Sequence, residues 1–236
     1  MNIFDALIYQ PLFNVLILFY HWLGDFGFAV IALTVAIRVL LYPLAAKAIR
    51  VQKATARIQP QMKDIQKKYK DDKEKQALEM MALWRENKIN PLSGFLLLLV
   101  QIPVLWGLYR VFWDGFKGES LAMLYGFVPN PGSVDPMFLD HINLAASFPA
   151  FAVAAGVLQF VQAKMMMPSV PAGDGKEKSQ SEQFAEMMQK QTLYVFPAVT
   201  VAIFWALPSA LGLYWIASGI FSVGQQYYIL KKNGKN

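Results

Sequence analysis

Five apolar runs, at about 26–46, 94–113, 143–163, 192–207 and 210–230, dominate this chain, and most reach the roughly 20 residues a helix needs to cross a bilayer. The fourth run is short, and the third carries Pro149 near its start. Hydrophobic residues make up 56% of the 236, too many for the surface of one soluble domain. Backbone amides in hydrocarbon must be paired within their own segment, so the runs read as helices. An odd number of spans puts the termini on opposite sides. The segments 47–93, 165–191 and 231–236 hold 18 of the 22 Lys and Arg residues. Segments 1–25 and 114–142 hold Lys117 alone against Asp5, Asp25, Asp114, Glu119, Asp135 and Asp140. Basic loops stay cytoplasmic, so the fold class is an all-α membrane protein with five transmembrane helices, N-out and C-in.

Several chemistries are excluded early. The chain has no cysteine, and therefore no disulfide, thiolate nucleophile, thiolate metal site or cysteine-linked lipid. His21 and His141 fall outside the spans, far apart and without metal-ligand spacing, so no metal, cofactor or enzymatic site is expected. The net charge of +6 follows topology rather than a nucleic-acid surface; anionic lipid headgroups and cytoplasmic partners are its expected counterparts, with no direct nucleic-acid function. The first 25 residues contain neither Lys nor Arg and lack the basic region of a signal peptide.

The segments between spans have their own patterns. In 1–25, Ile3, Leu7, Ile8, Leu12, Val15, Leu16 and Phe19 recur near helical spacing, broken by Asn2, Asp5, Gln10, Pro11 and Asn14. This predicts an interfacial amphipathic helix, with a sixth span as the alternative. In 47–93, Ile58, Met62, Ile65 and Tyr69 form one helical stripe and Ala77, Met80, Met81 and Trp84 another, predicting a cytoplasmic αα-hairpin. Asp71 as N-cap with Glu74 would start its second helix, and Pro91 marks its far side. The stripes either simply pack together or also serve as a docking surface. Segment 164–191 reads as a cytoplasmic loop, mobile over its Pro/Gly/Ser-rich part, 168–183. Met165, Met166 and Met167 read as pliant gap-filling at a helix end. Residues 208–210 allow only a tight turn before the fifth span, and 231–236 form a short basic tail.

Arg38 lies inside the first apolar run, where a charge costs about 2.5–3.5 kcal/mol on insertion scales and marks function by default. By helical rise it sits about 18 Å from the outer end of 26–46 and about 12 Å from the cytoplasmic end. Snorkelling to the nearer surface is opposed by geometry, because helical side chains lean toward their N-terminus, here outward. An ion pair is opposed by composition, because no Asp or Glu lies in any predicted span. Arg110, by contrast, stands at a helix end four residues before Asp114, where a surface pair explains it.

Other polar residues share the depth of Arg38: Gln101, Gln159, Gln162, Ser218, Ser222, Gln225 and Gln226. The outer halves, such as 28–33, 104–108 and 150–155, are nearly all apolar. Individually these residues read as interhelical hydrogen-bonding groups. Together they predict a polar recess open to the cytoplasm and closed outward, which lowers the cost of bringing a hydrophilic segment into the bilayer. Pro43 removes the helical bond to the Val39 carbonyl and should kink the first span; Pro103 and Pro197 are candidate kinks of the same kind.

The chain resembles the YidC-type insertases of the Oxa superfamily over nearly its full length. The resemblance rests on Gln10-Pro11-Leu12-Phe13, on Trp22-Leu23-Gly24-Asp25-Phe26-Gly27-Phe28, and on Ile37-Arg38 followed by Tyr42-Pro43-Leu44. It continues through Gln59-Pro60, Asp71-Asp72-Lys73, Glu79-Met80-Met81-Ala82-Leu83-Trp84, Asn90-Pro91-Leu92-Ser93-Gly94 and Gln101-Ile102-Pro103. Phe160-Val161-Gln162-Ala163-Lys164-Met165 and Leu207-Pro208-Ser209-Ala210-Leu211-Gly212-Leu213-Tyr214-Trp215 complete it. The resemblance implies a bacterial plasma-membrane insertase and chaperone without cofactor. A groove open to cytoplasm and lipid would draw in nascent membrane proteins with short translocated tails by means of Arg38. It further implies that Gln162 and Trp215 line that groove, with Gln159, one turn from Gln162, as the competing assignment. The hairpin would help receive substrate, and a ribosome, targeting factor and the Sec translocon are implied partners. The chain departs from the pattern in lacking a large outside domain and a lipoprotein signal and in having a very short basic tail, which weakens the expectation of ribosome binding. From the residues alone, the competing function is an anion or small-molecule transporter using Arg38 as an intramembrane charge, disfavoured by the apolar outer halves and the lack of an inverted repeat. An assembly chaperone without insertion activity is a third reading.

Overall fold

The structure, a computed structural model, describes residues 3–90, 92–115, 118–166 and 180–232. It is predominantly helical. Helix α1 (Gln10–Leu23) continues a π turn at Asp5–Tyr9 and ends at Gly24, whose φ of 70° is the left-handed conformation that favours glycine after a helix. Asp25 then caps α2 (Phe26–Leu40), its carboxylate accepting from the Phe28 amide at 3.0 Å. At Leu41 the chain turns by 63° into α3 (Tyr42–Lys68). Pro43 lies in the first turn of α3, where its missing N–H has no helical partner to lose. The predicted kink is therefore a full break, and the last residues of the run 26–46 belong to α3.

Helix α4 (Lys73–Glu86) folds back on α3. Its N-cap is Asp72 rather than Asp71: the Asp72 carboxylate accepts from the Lys75 amide at 2.9 Å, which puts Glu74 at the second helical position and removes the expected capping box. The seam also differs from the predicted stripe. Ile58, Leu83 and Ile89 are its buried centre, with Met62, Ile65 and Trp84 packed on it, whereas Ala77 and Met81 are exposed. Leu83 takes the inward place because α4 starts one residue later than expected and ends on Lys88, which has φ 54° and lets the Ile89 amide reach the Trp84 carbonyl at 2.8 Å. Pro91 lies outside the described residues.

Helix α5 (Leu92–Asp114) runs unbroken through Pro103. A short 3-10 stretch, Gly118–Met123, leads to a two-stranded antiparallel hairpin, β1 (Met137–Phe138) and β2 (Ile142–Asn143), a small exception to the all-α expectation. Residues 143–148 belong to this connection, not to the third span. Helix α6 (Pro149–Met166) starts at its proline because the Leu144 and Ala146 carbonyls are engaged by the Ala210 and Ser209 amides. Of the predicted loop, residues 168–179 lie outside the described residues, but α7 (Gln180–Lys190) is helical and runs through a π turn, Gln191–Val195, into α8 (Phe196–Ala206). Strong helix formers and a Glu186–Lys190 pair at 3.1 Å support it. Pro197 falls in the first turn of α8, at the end of that π turn. Helix α9 (Ser209–Lys232) completes the fold.

Helices α2, α5, α6, α8 and α9 alternate in direction. They define a loop end, where α2 begins and α5 ends, and a hairpin end, where α3 departs. Helix α9 is central, packing on α2 and α6 and more lightly on α5 and α8. The main core lies toward the loop end, with Phe13, Leu16, Ile17, Phe26, Val30, Leu108, Phe112, Leu144 and Leu211 at 0–2% exposure. The outer faces are as apolar as the core: Val39, Leu40, Leu99, Ile102, Val153, Val157, Val199, Ile203 and Ile220 are 46–77% exposed. Water would penalise such a belt on every helix, and lipid would not. Exposed Trp22, Trp106, Trp113 and Trp205 ring the loop end, and exposed Tyr194, Tyr227 and Tyr228 the other, as amphipathic rings do at the two interfaces of a bilayer.

Helix α1 with its π turn, Asp5–Leu23, is long and apolar enough to cross a membrane, as are α2 and α3 if taken together as one bent span. Both ends of α1 nevertheless meet the same end of the bundle. Asp5 pairs with Arg110 and Ile8 lies against Gly107 near the end of α5, while Tyr20 packs edge-on against Phe26 at the start of α2.

Candidate functional site

Arg38 lies in the last turn of α2, because the helix stops at Leu40. The unpaired carbonyls there give that end partial negative charge, which favours a cation. Its guanidinium donates to the Ser218 hydroxyl of α9. Two contacts between the same helices set the depth. Gln225 Nε2 donates to the Tyr42 carbonyl at 3.3 Å. Ser218 is seven residues before Gln225, about 10 Å of rise, whereas Arg38 is four residues before Tyr42, about 6 Å. The Arg38 side chain thus reaches back toward the loop end, as side-chain direction predicted and opposite to snorkelling. Among the described residues no carboxylate comes within ion-pair distance of it. Arg110 differs from Arg38 in this respect: it pairs with Asp5, lies 4.0 Å from Asp114 and covers the Tyr9 ring. Asp5, brought in by the fold, is its closer partner, rather than Asp114 as the spacing suggested.

One stretch of α9, from Tyr214 to Gly219, gathers the other groups. Gln101 of α5 donates to the Tyr214 hydroxyl at 2.9 Å, and Gln162 of α6 donates to the Gly219 carbonyl at 3.0 Å. Arg38, Gln101, Gln162 and Ser218 therefore converge. Gln159 does not, since it turns to α8 and accepts from the Thr200 hydroxyl at 2.6 Å. Trp215, 100° round the helix from Tyr214, also faces α8, its ring 5.2 Å from that of Phe204. Ser222 follows Ser218 by one turn and is half-buried. Tyr214 was missed by sequence reasoning, which singled out its neighbour. Its signal was present in the spacing, four residues before Ser218 on the same face.

Helices α5 and α6 make little direct contact, and α9 backs both. The polar stretch of α9 consequently lies behind a gap between them, and the fully buried aliphatic and aromatic core closes the loop end above it. Such an arrangement offers a cation and amide groups at mid-depth with an apolar seal on one side. It contains no nucleophile paired with a base, and so suits binding rather than bond-breaking.

Known proteins match this fold and sequence. The family model described as 60Kd inner membrane protein matches residues 18–236. Membrane protein insertase YidC of Fusobacterium nucleatum is 32% identical over 211 residues, covering 89% of this chain and 89% of that protein. The proteins of that name from Pelobacter propionicus and Syntrophobacter fumaroxidans are 32% and 34% identical over 96% and 93% of this chain, which spans only 39% and 37% of their lengths. A crystal structure described as an active YidC insertase with its first transmembrane domain resolved superposes with a TM-score of 0.61 at 23% identity, over 97% of this chain and 47% of that one, a likeness of fold. With the family model covering nearly all of it and the same architecture in a solved structure, this chain belongs to the 60Kd inner membrane protein family, the YidC-type membrane protein insertases of the YidC/Oxa superfamily.

Proposed function

We propose that this protein inserts nascent membrane proteins with short translocated tails into a bacterial plasma membrane and assists their folding. Helices α2, α5, α6, α8 and α9 are its five spans, N-out and C-in, with α1 on the outer surface and the α3–α4 hairpin in the cytoplasm. The basic asymmetry of the loops, the two aromatic rings and the course of α1 support this topology. The gap between α5 and α6 serves as the substrate groove, entered from the cytoplasm and open to lipid, with Arg38, Gln101, Gln162 and Ser218 at its polar centre and Trp215, Gln159 and Ser222 flanking it. A ribosome, a targeting factor, the Sec translocon and anionic lipids fit as partners on the basic face.

The single observation that carries this reading is Arg38: a cation among apolar helices, held by one serine and facing no carboxylate of its own chain among the described residues. An acidic group of another chain brought within about 4 Å would gain about 4 kcal/mol at an effective dielectric of 20, offset in part by its own desolvation. Arg38→Ala is therefore expected to slow insertion of a substrate with an acidic translocated tail about tenfold or more in reconstituted vesicles, with Arg38→Lys intermediate. Unchanged insertion by Arg38→Ala would defeat the electrostatic mechanism. Crosslinks from Gln101, Gln162 and Trp215 to a stalled nascent membrane protein should all form. The closed loop end disfavours the anion-transporter reading.

A further inference from the structure

Tyr214 is 1% exposed, a phenol sunk in the bundle with its hydroxyl at the junction of three helices. Gln101 of α5 donates to that hydroxyl, and the Ser218 hydroxyl, one turn along α9, engages it as well. Ser218 in turn accepts from Arg38 of α2. Gln101, Tyr214, Ser218 and Arg38 thus form one continuous chain of hydrogen bonds running from α5 through α9 to α2. The Gln101–Tyr214 bond is also the one side-chain hydrogen bond between α5 and α9 among the described residues, and α5 packs only lightly on α9 otherwise. A serine hydroxyl alone rotates freely and would leave the long Arg38 side chain many positions. A serine held by a buried phenol cannot, and the phenol is itself oriented by an amide from the helix that borders the groove.

We propose that Tyr214 is a positioning residue for Arg38, fixing the depth and direction in which the guanidinium meets an incoming acidic segment and tying both to the seat of α5. This rests on the insertase reading above. The phenol touches no substrate; it acts through Ser218. A cation held at one depth attracts an acidic residue best at one place along the translocated tail, whereas a cation freed to wander attracts it over a broader range and less strongly at the optimum.

The test uses the full chain in vesicles and a set of substrates differing only in the position of one Asp along the tail, with a neutral-tail substrate as reference. For the unaltered chain, the ratio of acidic-tail to neutral-tail insertion should peak at one Asp position. Tyr214→Phe keeps the buried ring and removes only the hydroxyl. It should lower that peak roughly three- to tenfold and flatten the profile, and it should have no further effect once Arg38→Ala is present. Gln101→Leu breaks the same chain from the α5 side and should act alike, which keeps the proposal testable if Tyr214→Phe does not accumulate. If both variants leave the peak and its position intact while Arg38→Ala abolishes it, the insertase reading stands and the positioning role is overturned. The role is equally overturned if the hydroxyl loss lowers acidic and neutral substrates in the same proportion, as simple loss of packing would.

Discussion

Asn14 is the polar residue that holds α1 in place, and its replacement has a calculable cost. It is 2% exposed and fully engaged: its amide nitrogen donates to the Gln10 carbonyl at 2.8 Å and the Met123 carbonyl at 3.1 Å, and its oxygen accepts from the Tyr125 amide at 2.6 Å. Asn14→Leu keeps roughly the same volume and removes all three bonds. Met123 keeps a donor in Gln10 Nε2 at 3.0 Å, and the Gln10 carbonyl remains within its helix. The Tyr125 N–H alone is orphaned, at a cost of about 1–3 kcal/mol. Asn14→Asp should be worse near neutral pH. Its carboxylate still accepts from Tyr125 but turns its second oxygen toward two carbonyls, a buried charge without a partner, for about 3–5 kcal/mol. Burial raises the folded-state pKa of such an aspartate above its unfolded value. The folded protein therefore binds the extra proton, the penalty is full above the folded pKa, and stability returns as pH falls and the protonated acid donates again. Tryptophan-monitored thermal unfolding in detergent, compared at pH 7 and pH 4, would show unaltered chain above Leu above Asp at pH 7, with the Asp variant gaining relative to the Leu variant at pH 4. An Asp variant as stable as the unaltered chain at pH 7, or a Leu variant within 0.5 kcal/mol of it, the ordinary range for a neutral substitution, would refute the assigned hydrogen bonds.

Two further outcomes follow from local geometry. Asp72→Ala should cost α4 about 1 kcal/mol while Asp71→Ala costs less than about 0.5 kcal/mol, read as amide hydrogen exchange over 73–86. Gly27→Ala would put a methyl group 2.0–2.7 Å from ring carbons of Phe138, so it should destabilise by about 1–3 kcal/mol in thermal unfolding, and Phe138→Leu in the same chain should restore part of the loss.

The legible parts of this protein were those set by local chemistry. Runs of apolar residues in 94–113 and 210–230 had to become helices whatever surrounded them, since hydrocarbon leaves backbone amides no other partner. The capped start of α2 and the break near Pro43 were within reach of residue types alone. Boundaries failed where a distant segment intervened. Residues 143–148 are apolar enough to extend α6, but their carbonyls are taken by amides at the start of α9. Residues 180–183 share the composition of the loop before them, yet they begin a helix that continues into α8.

The candidate site divides in the same way. That Arg38 has no carboxylate in the spans follows from composition, as does the depth it shares with Gln101, Gln162 and Ser218. Which of them meet was decided by the rotation and height of one helix against another. One step of 100° separates Tyr214, in the hydrogen-bond chain, from Trp215, turned to α8, and one turn of α6 separates Gln162 on α9 from Gln159 on α8. The sequence by itself determined a helical membrane protein with one unneutralised charge at mid-depth, because transfer energies and helical periods add up residue by residue. Only the tertiary structure decided that this charge ends on Ser218 and that Asp5 closes on Arg110, because hydrogen bonds and ion pairs depend on distances between helices that no local sum contains.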